Sequence, residues 1–245
     1  QSLKRNLKKN TRLNNMSSDV KNKVITAINS ALGERLEEAY VTEPKKFDLR
    51  TELLSSKTKQ ARQKDFEEFV ESLNTISAQL DGADRDTAND KSSDFRRLKI
   101  DEVHNMNAAF LRALHFENIS DLSSKITMDM LCFLRLERDF GSFDAWQKDF
   151  IACAMSARDG YALTGYSLYL KRYINFVIDT EGLNVPIGVL PIIVLDVAEG
   201  AYFRDYLNDR RSYVLGMMKE FDWDHIETRV KRAEATSKAN AKAGL

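Results

Sequence analysis

The chain has 245 residues, 43% of them hydrophobic and 30% charged, and 37 Lys/Arg balance 37 Asp/Glu. That is ordinary for a globular protein with ample core, and no apolar run approaches the roughly 20 residues that span a bilayer, so no membrane partner is expected. The zero net charge hides an asymmetry: residues 1–64 hold 15 basic and 7 acidic side chains, residues 229–245 hold 5 and 1, and residues 65–228 carry a net −12.

Basic ends on an acidic body suit ends that meet a polyanion, against the plainer reading of charged, solvated helices. The first 14 residues contain Lys4, Arg5, Lys8, Lys9 and Arg12 and no acid. These five are the candidate polyanion-binding residues, on an arm too poor in apolar side chains to fold alone. Residues 18–36 place Val20, Val24, Ile25, Ile28, Leu32 and Leu36 at helical spacing, and Pro44 breaks the pattern. The start at Gln1 fits an N-terminus that is processed or lies inside a longer chain. Residues 1–46 are read as a basic extension with one amphipathic helix.

From Phe47 a helical hairpin is expected, over 47–120. Phe66, Phe69, Val70, Leu73, Ile76 and Leu80 give the first helix over 64–80. A polar, turn-rich segment from Asp81 to Asp94 links it to a second helix whose apolar face is read as Ile100, Val103, Phe110, Leu111 and Leu114. A mixed α/β segment follows over 121–232. It has an amphipathic helix capped by Ser142, strands in 161–170 and 173–178, and a buried strand at Val189–Val194 that hands over to a helix after Asp196. Cys132 and Cys153 sit in helix-like apolar surroundings and read as buried thiols rather than a disulfide. Residues 233–245 form a basic tail. The run Lys231, Arg232, Lys238 and Lys242 could serve a polyanion or a docking protein.

Three stretches resemble the iron/manganese superoxide dismutases. Asp196, Glu199, Ala201, Tyr202, Asp205, Tyr206, Asn208, Arg210, Tyr213, Trp223, Asp224 and Arg229 fit that family's pattern D-x-W-E-H-A-Y-Y, D-Y-x-N-x-R-x-x-Y and W-D-x-x-x-x-R without a gap. Asp139-Phe-Gly-Ser-Phe143 is similar to a second family motif. Lys64, Val70, Leu73 and Asn74, then His104, Phe110 and Leu114, resemble its K-H-H-x-x-Y-V-x-x-L-N and H-x-N-H-x-x-F-W-x-x-L. The family's Gly-x-Gly-Trp-x-Trp segment is not preserved near Gly160, and its outer-sphere glutamine aligns ambiguously within 179–184. The resemblance implies an α+β fold: an N-terminal helical hairpin plus a C-terminal domain with a three-stranded antiparallel sheet flanked by helices.

It implies more by its departures. The family binds a redox metal through three histidines and one aspartate, and the matching positions here are Ala61, Asn107, Asp196 and Gly200. Asp65, Phe69 and Phe203 stand where the family has a nearby histidine, its channel tyrosine and a second signature tyrosine, so the orienting partners differ as well. His104, His115 and His225 fall on different elements and do not rebuild a three-imidazole set. The expectation is therefore no enzyme, no catalytic residue, no metal and no cofactor, with Asp196 acting as a helix N-terminal carboxylate.

Dismutase-like chains of this kind occur as a pair in the mitochondrial small ribosomal subunit. The resemblance implies a structural role there in the mitochondrial matrix, with rRNA, other small-subunit proteins and a second dismutase-like chain as partners. The heterodimer interface would use Glu199, Tyr202, Arg204 and Asp205. The alternative is a non-catalytic scaffold or assembly factor of another mitochondrial complex. A new enzyme is disfavoured, because the sequence has no Gly-rich phosphate loop, Cys/His cluster or nucleophile–base motif.

Overall fold

The computed structural model describes residues 42–119 and 124–243. The basic arm and the helix expected over 18–36 lie outside these residues. Two long helices come first: α1, Ser56–Asp81, and α2, Asp94–Asn118. Each opens on a serine. The hydroxyl of Ser55 accepts the Thr58 amide at 3.3 Å and that of Ser93 accepts the Arg96 amide at 3.2 Å, filling donors that a helix start otherwise leaves free.

The stripe Phe66, Val70, Leu73, Ile76 and Leu80 on α1 is buried, as the spacing predicts. Phe47, Phe66 and Phe116 join the two helices through ring contacts of 5.1–6.1 Å. On α2 the expected apolar face is corrected. Ile100, Val103 and Phe110 are 51%, 46% and 55% exposed, while Leu98, Ala108, Leu111, Arg112, Leu114, His115 and Phe116 are buried. The C-terminal half of α2 lies on the sheet, where Leu111 and Leu114 meet Leu163, Ile178 and Val194. Ile100, Val103 and Phe110 instead face solvent.

Helices α3 (Leu131–Phe140) and α4 (Phe143–Ser156) follow. Gly141 ends α3 in the left-handed region at φ +87°, which glycine enters without steric cost, and Ser142 caps α4 through the Ala145 amide at 3.0 Å. The sheet has β1 (Tyr161–Ser167) at its centre, antiparallel to both β2 (Arg172–Ile178) and β3 (Val189–Asp196). In this register Tyr161 faces Asp196 and Tyr166 faces Tyr173. Three helices complete the chain: α5 (Glu199–Tyr206), α6 (Arg210–Lys219) and α7 (Trp223–Ala243).

The main core lies on the sheet face opposite α2, where Trp146, Phe150, Tyr213, Phe221 and Ile226 pack together. The Trp146 indole N–H, fully buried, donates to the Thr164 hydroxyl at 2.9 Å. Cys132 is buried, Cys153 half-buried, and both are free thiols. Residues 233–243 continue α7, with Ala233 in the core.

Arg229 ties these layers together. Its guanidinium donates to the Ile192 and Leu114 carbonyls at 3.0 and 3.1 Å, to Glu117 at 2.9 Å and to the Asn118 side chain. One planar fork thus serves β3, α2 and α7, a task an ammonium cannot match. Arg229→Lys is expected to lower stability in urea unfolding by about 3 kcal/mol, because buried carbonyls lose their donors. Retention of the full unfolding free energy would contradict this role.

Candidate functional site

The end of β3 and the hairpin helices converge on Asp196, which is wholly buried. One carboxylate oxygen accepts the amide of Ala198, the residue before α5, at 3.0 Å; α5 has no side-chain cap, so the expected role of Asp196 as a helix N-terminal carboxylate is corrected. The other accepts a hydrogen bond from Nη2 of Arg62 on α1 and lies 3.7 Å from Nε of Arg112 on α2. The Asp196 amide points at Nδ1 of buried His115 at 3.4 Å, and its carbonyl accepts from the Tyr213 hydroxyl at 2.7 Å.

A second ring of groups completes the cluster. Asp65 accepts from Arg62 Nη1 at 3.0 Å and lies 3.9 Å from Arg112 Nη1. Arg112 Nη2 donates to the Tyr161 hydroxyl at 3.3 Å, Tyr161 donates to Glu181 at 3.2 Å, and the guanidinium lies over the Phe69 ring at 4.9 Å. Arg62 and Arg112 are 8% and 3% exposed. Beside them is a cavity of about 370 Å³ lined in part by Asp65, Phe69, Asn105, Glu181 and Gly200.

Of the four ligand-matching positions, Asp196 and Gly200 lie here. A Cβ at Gly200 would lie 2.9 Å from Arg62 Nη1, so a side chain there would require the guanidinium to shift. Ala61 is half-buried, one residue before the arginine that reaches Asp196. Asn107 donates to the Glu181 carbonyl at 3.0 Å, and Arg112, five positions on, is the α2 side chain beside Asp196. Glu181 falls in the segment whose alignment was ambiguous. His104 is half-buried with its ring edge-on to Phe69 at 6.1 Å.

Neither arginine was singled out in the sequence, yet each had a signal. Arg62 sits one turn before Phe66 on the buried stripe of α1, and Arg112 shares the spacing of Ala108, Leu111 and His115 on α2. Of the expected interface residues, Glu199 and Arg204 are exposed. Asp205 accepts the Ser55 amide at 3.0 Å. Tyr202 is corrected: it is buried, stacked on Tyr213 at 5.4 Å and bonded to Arg210 at 3.1 Å, so it belongs to the core.

Burial raises the carboxyl of Asp196, but Arg62, Arg112 and His115 outweigh it and hold the group below the usual carboxylate range. Burial and the two arginines keep His115 neutral down to about pH 4, against the pull of Asp196. Among the described residues, no three His, Cys, Asp or Glu side chains gather into a group that could hold a metal ion.

Comparison with known proteins agrees with the fold. The family described as iron/manganese superoxide dismutases, C-terminal domain, matches residues 132–229. The chain is 30% identical over 168 residues to "Superoxide dismutase [Fe]" of Aquifex pyrophilus, covering 67% of this chain and 78% of that protein. The same values hold for "Superoxide dismutase [Fe]" of Aquifex aeolicus. "Superoxide dismutase [Mn]" of Mycolicibacterium fortuitum is 33% identical over 106 residues, 43% of this chain and 50% of its own length. The chain belongs to the iron/manganese superoxide dismutase family.

Two stability measurements test the cluster. Asp196→Asn leaves two buried guanidiniums without their central carboxylate and should cost about 3–5 kcal/mol, whereas exchanging Asp196, Arg62 and Arg112 together for apolar residues should cost far less. Equal losses in urea would show that the charges are not coupled. The second concerns pH. The unfolded chain binds a proton at His115 near pH 6.5, the folded chain only near 4, so the unfolded state holds more protons between these values. Stability is then full above about 6.5 and falls as pH drops, by about 2 kcal/mol between pH 7 and 5. His115→Gln should remove that slope.

Proposed function

We propose that this chain is a non-catalytic member of its family: a structural component of the mitochondrial small ribosomal subunit that contacts rRNA and neighbouring proteins from the matrix side. The observation that carries the loss of catalysis is the pair of guanidiniums on Asp196. A redox metal needs lone-pair donors converging with the carboxylate, and a guanidinium offers five N–H donors and no acceptor. Arg62 and Arg112 bring to Asp196 the positive charge that a metal would otherwise supply. The residues present therefore do not fit the family's metal, and no step of dismutation is routed through them.

What supports the ribosomal reading is the charge distribution, with basic ends flanking an acidic body. Lys4, Arg5, Lys8, Lys9 and Arg12 can neutralise phosphates and release counterions. A second dismutase-like chain is the proposed partner. Glu199 is exposed at the start of α5, whereas the neighbouring family ligand position is Gly200, so a symmetric pair would set glutamates against each other without the imidazole that receives them in the family.

Three outcomes are expected. The purified protein contains no stoichiometric iron or manganese and does not dismutate superoxide; near-equimolar metal by elemental analysis would overturn this. The intact protein sediments with the small ribosomal subunit and stays there through a high-salt wash, and release into another complex would favour a scaffold elsewhere. Mixed with a second dismutase-like chain it forms a heterodimer; a stable homodimer through the α5 face would refute the pairing.

A further inference from the structure

Among the described residues, exposed basic side chains occur at the turn between β1 and β2 and on the last turns of α7. β1 and β2 are joined by the turn Leu168–Lys171, in which Tyr169 is 90% exposed and Leu170 55% exposed. The turn is held in shape: the Leu168 amide donates to the Gly188 carbonyl at 3.0 Å, Leu170 to the Ser167 hydroxyl at 3.1 Å and Lys171 to the Ser167 carbonyl at 2.8 Å. The last turns of α7 are fixed to the same end of the strand pair. Tyr166 and Ser237 share a hydroxyl hydrogen bond of 2.9 Å, and Glu234 accepts from Arg135 at 2.7 Å and from Tyr173 at 3.4 Å.

This geometry presents Lys238 and Lys242, one turn apart and exposed, from a helix anchored beside exposed Lys171 and Arg172. The acids nearby are largely committed. Glu234 is engaged as above, and Asp139 accepts from Arg138 and from the Tyr173 amide at 2.8 Å. Glu137 is the remaining acid on α3.

We infer that this end of the body is a second polyanion contact, a preorganised surface for single-stranded RNA. Lys171, Lys238 and Lys242 receive phosphates, and Tyr169 receives the face of a base. An exposed aromatic ring among lysines is the composition that binds strands without reading sequence. A protein interface is the poorer fit, because lysine is depleted from such interfaces and Tyr169 with Leu170 offers little apolar area for their core. The inference rests on the RNA-contacting role proposed above but assigns it to a folded surface rather than to the N-terminal arm.

The test uses the full chain and a labelled 20-nucleotide oligouridine, with binding followed by fluorescence anisotropy from 50 to 300 mM salt. Replacing Lys171, Lys238 and Lys242 together by alanine should flatten the log–log salt slope by about 2 and weaken binding about 50-fold near 150 mM salt. Tyr169→Leu should weaken binding about tenfold with the slope unchanged, while Tyr169→Phe keeps it. All four side chains are exposed, so thermal unfolding should be unaltered. If only the variant lacking the five arm charges loses binding, the inference falls and the RNA-contacting role stands. If the unaltered chain does not bind RNA at 50 mM salt, that role falls with it. Loss of ribosomal association by the triple variant with normal oligouridine binding would make the surface a protein contact and overturn the inference.

Discussion

A buried carboxylate shared by two arginines from different helices is the constraint on which the arrangement of this protein depends. Asp196 ends β3, Arg62 comes from α1 and Arg112 from α2, so one charge cluster joins both helices of the hairpin to the sheet. Burial alone would drive the Asp196 carboxyl towards neutrality. Together the carboxylate and the two arginines stay ionised, and the groups around them follow from that requirement. Asp65 takes a further Arg62 donor. Tyr161 stands between Arg112 and Glu181 and relays the excess donor to a carboxylate. His115 stays neutral because burial, and then repulsion by the two guanidiniums, disfavours its charged form.

The rest of the core is conventional by comparison, and it tolerates such a cluster because other contacts hold the layers in register. Trp146 pins α4 to β1 through Thr164, and Glu227 fills the first amides of α3. Arg229 repeats, at the far side of α2, the device of a single guanidinium bridging layers. The framework is that of its family, and the chemistry at its centre is set by which side chains the framework carries.

Much of this was legible from sequence where periodicity and capping act locally. The stripe on α1, the Ser142 cap, the three strands and the handover after Asp196 follow from alternation, helical spacing and turn chemistry. The reading failed where tertiary packing decides. On α2, Ile100, Val103 and Phe110 share helical spacing as persuasively as the residues that are buried. Only the position of the sheet shows that the C-terminal half of the helix is covered. The arginines escaped notice because a charged side chain is by default assigned to solvent, yet both extend buried stripes at helical spacing. Tyr202 was placed on a surface by its motif and in the core by its stacking on Tyr213.

Gly200 shows how far one absent atom can reach. Its hydrogen leaves the volume that Arg62 occupies, so the identities of positions 62 and 200, 138 residues apart in sequence, are not independent. A histidine introduced at 200 alone would strike the guanidinium before it could meet anything else in the cluster. Exchange at 62 alone would leave a void beside a carboxylate that keeps Arg112 as its neighbouring guanidinium. The glycine and the arginine thus share one volume, so a change at either position is felt at the other.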